Sequence, residues 1–475
     1  MSQERFFLMI GGQAVPGETE IEVINPATEA VLALAPAASP HQLDEAVTAA
    51  MRAYPAWRAT PLTARRNILR ALGDLLRTHA DELAALLTRE QGKPLAAARV
   101  EIMVAAAWCD GIARLDLPVA ITEDNAERRS ETRRVPLGVV AAIVPWNFPV
   151  GLAFWKVAPA LMAGNTVVVK PSPFTPLTTL RIGELGARLL PPGVLNVISG
   201  EDELGPLLTS HAGVAKISFT GSTTTGREVM RSASAGLKRI TLELGGNDPA
   251  IVLRDVDIAA AARSLFWAAF RNSGQFCVAA KRIYVHEDIY ERFAAALIAY
   301  SRTVRMGVGS EPGVELGPIQ NRRQYERVTE LIARARAAGL KFLTGEGPAR
   351  RPGYFVAATI IDDPPDDAEV VTAEAFGPVV PLLRFADIED VVRRANDSPF
   401  GLAASVWSAD AQAAMHIGER LDCGTVWIND VHYMTPLAPF GGHKQSGLGV
   451  ENGYDGLLEY TAAQTMVVRK QPMRV

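Results

Sequence analysis

Between Gly138 and Leu244 the chain alternates short β-branched runs with helix-forming segments, and nothing else in the sequence constrains the fold as much. The spacing predicts strands at Val139–Val144, Thr166–Lys170, Leu195–Ser199, Lys216–Phe219 and Arg239–Leu244, with helices near 151–163, 176–190, 203–211 and 223–235. Strands separated by helices run parallel, and right-handed crossovers then lay the helices on both faces of the sheet. A second α/β run begins beyond Asp248, with strands near 249–253, 281–286, 340–343, 355–361, 378–385, 402–407 and 424–428. A chain of 475 residues has room for more than one core. The expected class is therefore α/β and doubly wound.

The flanking regions differ in kind. Residues 1–36 read as short strands and turns: Phe6–Ile10, a Gly11-Gly12 turn, then Ile21–Ile24 closed by Asn25-Pro26. From His41 to Asp110 apolar residues recur at helical spacing, and Pro55, Pro61 and Gly92-Lys93-Pro94 divide the region into separate helices. Residues 121–134 are polar, charge-balanced and without an apolar face, which suits a solvated loop or an exposed hairpin. Thr461–Arg469 reads as a matching strand, and two interacting oligomerisation arms are the favoured reading.

Composition excludes several classes. A net charge of −4 with no long charge block gives no nucleic-acid arm and no membrane-binding face. The apolar region from Val135 to Val169 is broken by Pro145, Asn147, Pro149, Lys156, Pro159 and Asn165, so a buried strand-loop-helix-strand unit is expected there, not a membrane span. The first residues lack the pattern of a signal peptide. Three scattered cysteines, Cys109, Cys277 and Cys423, form no disulfide framework and suit a reducing, cytoplasmic setting. Seven histidines without paired metal-ligand spacing give no support for a metal site.

Ligands on doubly wound sheets bind at the carboxyl ends of the strands, so the residues there matter most. They are Pro145-Trp146-Asn147-Phe148-Pro149, then Lys170-Pro171-Ser172-Pro173, then Thr220-Gly221-Ser222 leading to Gly226. Glycine beside small hydroxylated residues at a helix start lets a phosphate approach backbone N–H groups. With Lys170 on a neighbouring strand end, a dinucleotide is the better reading, although a strand-glycine-helix turn is often merely a turn. The fifth strand delivers Glu243, either a salt-bridged core residue or a general base whose pKa is raised by apolar surroundings. Cys277 follows a Gly/Ser/Asn break after the apolar run Ile258–Phe270, where it is either inert filler or a loop nucleophile. Glu374 precedes a later strand, and Pro439–Gly449 is a glycine-rich loop.

Taken in order, Gln91-Gly-Lys-Pro94, Pro145-Trp-Asn-Phe-Pro149, Lys170-Pro-Ser172, Phe219-Thr-Gly-Ser222 with Gly226, Leu242-Glu-Leu-Gly-Gly246, Gly274-Gln-Phe-Cys277, Glu374-Ala-Phe-Gly-Pro378 and Pro439-Phe-Gly-Gly442 with Ser446-Gly447 resemble the aldehyde dehydrogenase superfamily over essentially the whole chain. The resemblance implies a Rossmann-like dinucleotide-binding domain (1–117 and 137–245), an α/β catalytic domain (246–459) and a small β oligomerisation arm (118–136 and 460–475). It also implies a homodimer or homotetramer and a small aldehyde substrate. Position by position it makes Cys277 the nucleophile, Glu243 the base that activates water on the thioester, and Asn147 an oxyanion donor. Val144, Pro145, Trp146, Lys170, Ser172, Pro173, Gly205, Phe219, Gly221, Ser222, Gly226, Leu244, Glu374 and Phe376 would contact the cofactor, NAD.

Three departures qualify that picture. Pro173 stands where many NAD-using members carry a ribose-binding Glu, which opens the site to NADP. Asn247 replaces a common Lys, and Tyr454 falls where many members have a Glu with a proton-relay role. The resemblance lines the substrate tunnel with Phe148, Leu152, Trp155, Phe276 and Phe440, suggesting a bulky apolar or aromatic aldehyde. Arg271 either pairs with surface acids, the favoured reading, or clamps the carboxylate of a semialdehyde. Rival readings are a cysteine hydrolase, which would want a histidine base, and a scaffold that kept the fold without activity.

Overall fold

In the computed structural model, which describes residues 5–345, 347–349 and 351–471, the β-branched runs build two sheets. In the first, Leu195–Val197, Thr166–Lys170, Val139–Ile143, Val214–Thr220 and Arg239–Glu243 lie side by side in that spatial order, all parallel. Chain order reverses between Val139–Ile143 and Val214–Thr220, and the crevice outside the strand ends opens at that point. Leu8–Ile10 and Gln13–Val15 extend one edge antiparallel. In the second sheet six parallel strands, 359–362, 379–385, 280–286, 248–252, 403–407 and 425–428, are flanked by antiparallel Lys341–Thr344. Every strand of both α/β runs thus lies within a few residues of its expected place.

The differences have local causes. Pro55 does not end a helix; it sits inside Pro40–Ala59. A proline has no N–H for the carbonyl four residues back, and Met51 there is 49% exposed, so water can donate to that carbonyl in its place. A break that the pattern did not signal occurs at His79, between Leu62–Thr78 and Ala80–Gln91. The Pro439–Gly449 loop is also more than a loop. Gly447–Leu448 pairs antiparallel with Leu242 and Glu243, adding a strand to the first sheet. Leu457 and Tyr460 then bury in that sheet's core. Residues 447–459, grouped by sequence with the catalytic half, and Tyr460, grouped with the arm, therefore pack with the first sheet.

Both arm segments form strands, and they pair with each other. Ala120–Asp124 and Arg128–Pro136 make a hairpin, and Thr461–Arg469 runs antiparallel along the second strand from Pro136 to Arg128. Residues 472–475 of the second arm lie outside the described residues. Among the described residues no helix is long and apolar enough to cross a membrane.

Candidate active site

The loop that carries Cys277 is built on strain. After the helix Ile258–Phe270, Asn272, Ser273 and Gly274 all adopt positive φ, of 52°, 56° and 71°. Such conformations cost side-chain-bearing residues free energy unless surrounding contacts fix them. Here they are fixed. Asn272 Nδ2 donates to the Asn147 carbonyl (3.1 Å), Ser273 Oγ to the Gly317 carbonyl (2.7 Å) and buried Lys281 Nζ to the Gly274 carbonyl (2.6 Å). A β-carbon at Gly274 would collide with the Gly377 carbonyl, so only glycine fits there.

The paired glycines after Glu243 have a similar reason. A β-carbon on Gly245 would run into the Glu374 carboxylate, and one on Gly246 would lie 2.6 Å from the Cys277 carbonyl oxygen. The strand tail 243–246 therefore passes directly against the backbone of the cysteine loop. Gly246 N also donates to Glu374 Oε1 (3.1 Å), which brings the Glu374 loop to the same place.

Electrostatics mark the gap between these segments. Burial pushes the Cys277 thiol well above its ordinary range, helped by the nearby carboxylates Glu243, Asp248 and Glu374. Burial likewise raises Glu243, with Glu451 adding to the shift and Lys156 opposing it. Glu243 is 4% exposed, and its Oε1 has no hydrogen-bond partner among the described residues. An orphaned buried carboxylate oxygen is costly unless a ligand or water completes it. Asn147, also buried, donates from Nδ2 to the Gln275 carbonyl (3.1 Å), two residues before the cysteine.

The expected tunnel residues do assemble. Trp155, Phe276 and Phe440 form one buried apolar cluster, with Phe148, Leu152 and Cys277 packed against it. Phe148 lies 4.7 Å from Phe276, and Trp155 lies 5.4 Å from Phe440 and stacks on Trp108 at 5.5 Å. Arg271 departs from the favoured reading. No carboxylate among the described residues lies within ion-pairing distance, and its guanidinium sits 5.8 Å over the Phe276 ring, lowered in pKa by burial.

On the dinucleotide side, Val144 N donates to the Lys170 carbonyl and Gly221 N to the Glu243 carbonyl, knitting the strand ends together. Ser222 caps the helix Thr223–Ser234, accepting from Thr225 N. A β-carbon at Gly226 would meet Leu244 at 2.5 Å. Phe219 is buried beneath Gly221. Trp146 and Phe376 meet edge to face at 5.3 Å, with Phe376 at φ +45°. Lys170 is buried, its pKa lowered by that burial against the pull of Asp202, Glu201 and Glu203; among the described residues its Nζ makes one hydrogen bond, to the Gly200 carbonyl at 3.4 Å. Ser172 is buried beside it and Pro173 half-buried. Gly205 stands apart in the short helix Leu204–Ser210, with open space where a side chain would be.

Two functional-looking groups escaped the sequence reading. Tyr454 is 42% exposed, and the carboxylate at this end of the chain is Glu451, completely buried. Glu451 pairs with Lys156 (2.8 Å) and accepts from Ser218 (2.6 Å) and Tyr460 (3.1 Å). Only a glutamate preceding a glycine turn signals it, which is too little to find it. The second is the buried Lys93–Glu101 pair (2.5 Å), of which only Lys93 lay in a motif. Asn247 has a structural reason: its side chain donates to the Val371 carbonyl (2.8 Å), just ahead of the Glu374 loop.

The chain is similar to known proteins along nearly its whole length. Residues 14–466 match the family model described as "Aldehyde dehydrogenase family". A phenylacetaldehyde dehydrogenase of Pseudomonas fluorescens is 42% identical, over 97% of this chain and 95% of the relative. The NADP(+) succinate-semialdehyde dehydrogenase of Escherichia coli K12 is 41% identical, over 94% of each. Among solved structures, an NAD+ complex of aldehyde dehydrogenase from Bacillus cereus superposes with TM-score 0.96 at 36% identity, covering 98% of this chain and 97% of that one.

Proposed function

Because this chain belongs to the aldehyde dehydrogenase family and is an NAD(P)-dependent aldehyde oxidoreductase, we propose that it oxidises a bulky apolar or aromatic aldehyde to the carboxylic acid through a thioester on Cys277. The observation that carries this reading is the convergence of Cys277, the unpartnered Glu243 and the Asn147 amide beside one aromatic cluster. The Cys277 thiol gives up its proton, to Glu243 or to water, as its sulfur attacks the carbonyl carbon, and the covalent adduct splits one difficult oxidation into two easier steps. The developing oxyanion takes hydrogen bonds from the Asn147 amide and the Cys277 backbone N–H, where losing one donor costs about 10²–10³ in rate. Glu243, held protonated more readily than an ordinary carboxylate, gains its basic form as pH rises and then takes a proton from the water that hydrolyses the thioester. The Glu451–Lys156 pair, which biases Glu243 electrostatically, is placed to receive that charge change.

The residues present suit a dinucleotide. The capped start of Thr223–Ser234, the bare Cα of Gly226 and the under-used Lys170 ammonium would hold its phosphates and ribose, with Glu374 on the nicotinamide side. When bound, the nucleotide accepts hydride. Pro173 offers no carboxylate to the adenosine ribose, so both NAD+ and NADP+ would serve.

The substrate class follows from the cluster. Its side chains, Trp155, Phe276 and Phe440 with Phe148 and Leu152 against them, are apolar and mostly aromatic. A second reading, a semialdehyde substrate, is favoured because Arg271 makes no ion pair among the described residues, Glu101 acting on it only at longer range, and by the name of the E. coli relative. A hydrolase reading is weakened because the one histidine beside the cluster, His432, is tied to the Val278 carbonyl (3.0 Å) and lowered to about 3 by burial. The free strand edges of the arm, with Met466, Val467 and Val468 exposed, support a homodimer or homotetramer. A cytoplasmic location fits the absence of disulfide pairing among the three free cysteines.

A panel of aromatic, aliphatic and acidic aldehydes, assayed at 340 nm with NAD+ and with NADP+, tests all of this. Turnover of aromatic aldehydes with NAD+ and measurable turnover with NADP+ are expected. No detectable rate with NADP+ would remove the reading of Pro173.

A further inference from the structure

A fully buried ion pair stands behind the Asn147 segment and touches none of the reacting atoms. Lys93 and Glu101 are 2% and 4% exposed, and Lys93 Nζ donates to Glu101 Oε2 at 2.5 Å. The same ammonium donates to the Asn147 carbonyl at 2.9 Å and lies 3.9 Å over the Phe148 ring. The other oxygen of Glu101 accepts from Val150 N (2.9 Å) and Gly151 N (3.1 Å), the first turn of the helix Pro149–Ala163. One pair thus fixes both ends of the Asn147–Gly151 segment: the carbonyl of the amide-bearing residue and the helix start that follows it. That helix has no side-chain cap of its own, so Glu101 supplies the missing acceptor from another element.

Burying two charges is seldom the cheapest way to stabilise a fold, since well-packed apolar residues of similar size do as well or better. A buried pair whose remaining bonds all go to one catalytic segment has a different use, which is to fix geometry. We propose that Lys93 and Glu101 are positioning residues that hold the Asn147 amide in line with the oxyanion formed at Cys277. The proposal rests on the oxyanion role given to Asn147 above. Displacing a reacting group by about 1 Å costs on the order of 10²-fold in rate, so slackening this tie is expected to show in kcat and little in KM.

Removing one partner alone would strand a buried charge and unfold part of the protein, so the test uses the double variant Lys93→Met/Glu101→Gln. Gln at 101 keeps an oxygen for Val150 N and Gly151 N, while the Asn147 carbonyl loses the Lys93 bond and keeps only the one from Asn272. Four forms are compared: the parent, Asn147→Ala, Lys93→Met/Glu101→Gln, and all three changes together. Retention of fold is checked by NAD+ binding and by the rate at which iodoacetamide alkylates Cys277, neither of which calls on an oxyanion donor. The expected result is a fall in kcat of about 10- to 100-fold for Lys93→Met/Glu101→Gln, KM within about threefold, and little further loss when the pair is changed on top of Asn147→Ala. Loss that multiplies fully with that of Asn147→Ala, or parent-level kcat in Lys93→Met/Glu101→Gln, overturns the proposal. So does loss of NAD+ binding together with kcat in both this variant and the milder Lys93→Arg, which would make the pair a general structural support. If Asn147→Ala itself keeps the parent's kcat, the oxyanion reading fails and this proposal with it, an outcome distinct from the others.

Discussion

The arm and the cleft are made of similar polar residues and treat them in opposite ways. In the arm, Arg133 bonds Gln464, Thr132 meets Thr465, and Arg129 pairs with Asp124, all exposed and all satisfied across strands. In the cleft, Glu243 and Asp248 are buried with an unpartnered oxygen each, and three successive residues hold positive φ. Exposed pairs of that kind contribute between nothing and about 1 kcal/mol, whereas an uncompensated buried carboxylate shifts its own protonation by as much as the site requires. The arm tolerates change because water stands in for any lost partner. The buried groups have no such substitute, and Glu243 is the one among them proposed to act as a base.

Substitutions should separate the two regions by orders of magnitude. Cys277→Ala is expected to lower kcat about 10⁴-fold or more, with NAD+ binding retained; residual dehydrogenase activity above about 1% would mean another nucleophile. Glu243→Gln should cost about 10²–10⁴ in steady-state turnover while a first-turnover burst of reduced nucleotide persists, because only thioester hydrolysis is lost. In the parent that hydrolytic step should speed up as pH rises through a pKa above the ordinary carboxylate range, since burial disfavours the basic form; a flat profile in the parent, or a burst lost with turnover in Glu243→Gln, would place Glu243 elsewhere. Arg271→Leu is expected to cut kcat/KM for an acidic aldehyde roughly tenfold against a neutral aromatic one, if the guanidinium reads a carboxylate. Unchanged relative values would leave it as a cover for Phe276. Smallest of all, Glu127→Gln at the exposed tip of the arm hairpin should leave stability within about 0.5 kcal/mol and kcat unchanged. A large effect on kcat there would show that the arm is coupled to the cleft and break the contrast.

Much of this was legible in the sequence because local pattern and tertiary context agreed. Thr166–Lys170, Ile258–Phe270 and Thr461–Arg469 occupy the ranges their composition indicates. The cysteine, the two glycines after Glu243 and the aromatic tunnel residues were marked by motif. What stayed hidden is what only long-range contacts create. Gly447–Leu448 is a strand because Leu242 and Glu243 offer an edge, not because two residues prefer that state. Glu451 looks like any glutamate until Lys156, nearly three hundred positions away, is found beside it. Arg271 misled for the converse reason: arginines usually find an acid, and here the partner is a ring.

The return of residues 447–460 to the first sheet sets an order of assembly. Lys156 lies in the helix Pro149–Ala163, made early in synthesis, yet its only carboxylate partner among the described residues is Glu451. At about 5–20 residues per second, the ribosome delivers that partner roughly 10–40 s after the first sheet's last parallel strand has emerged. Until then the nascent domain must leave its interior open around an ammonium group. The half built on the first sheet is begun first and finished last, so the two halves cannot be severed into independently maturing pieces.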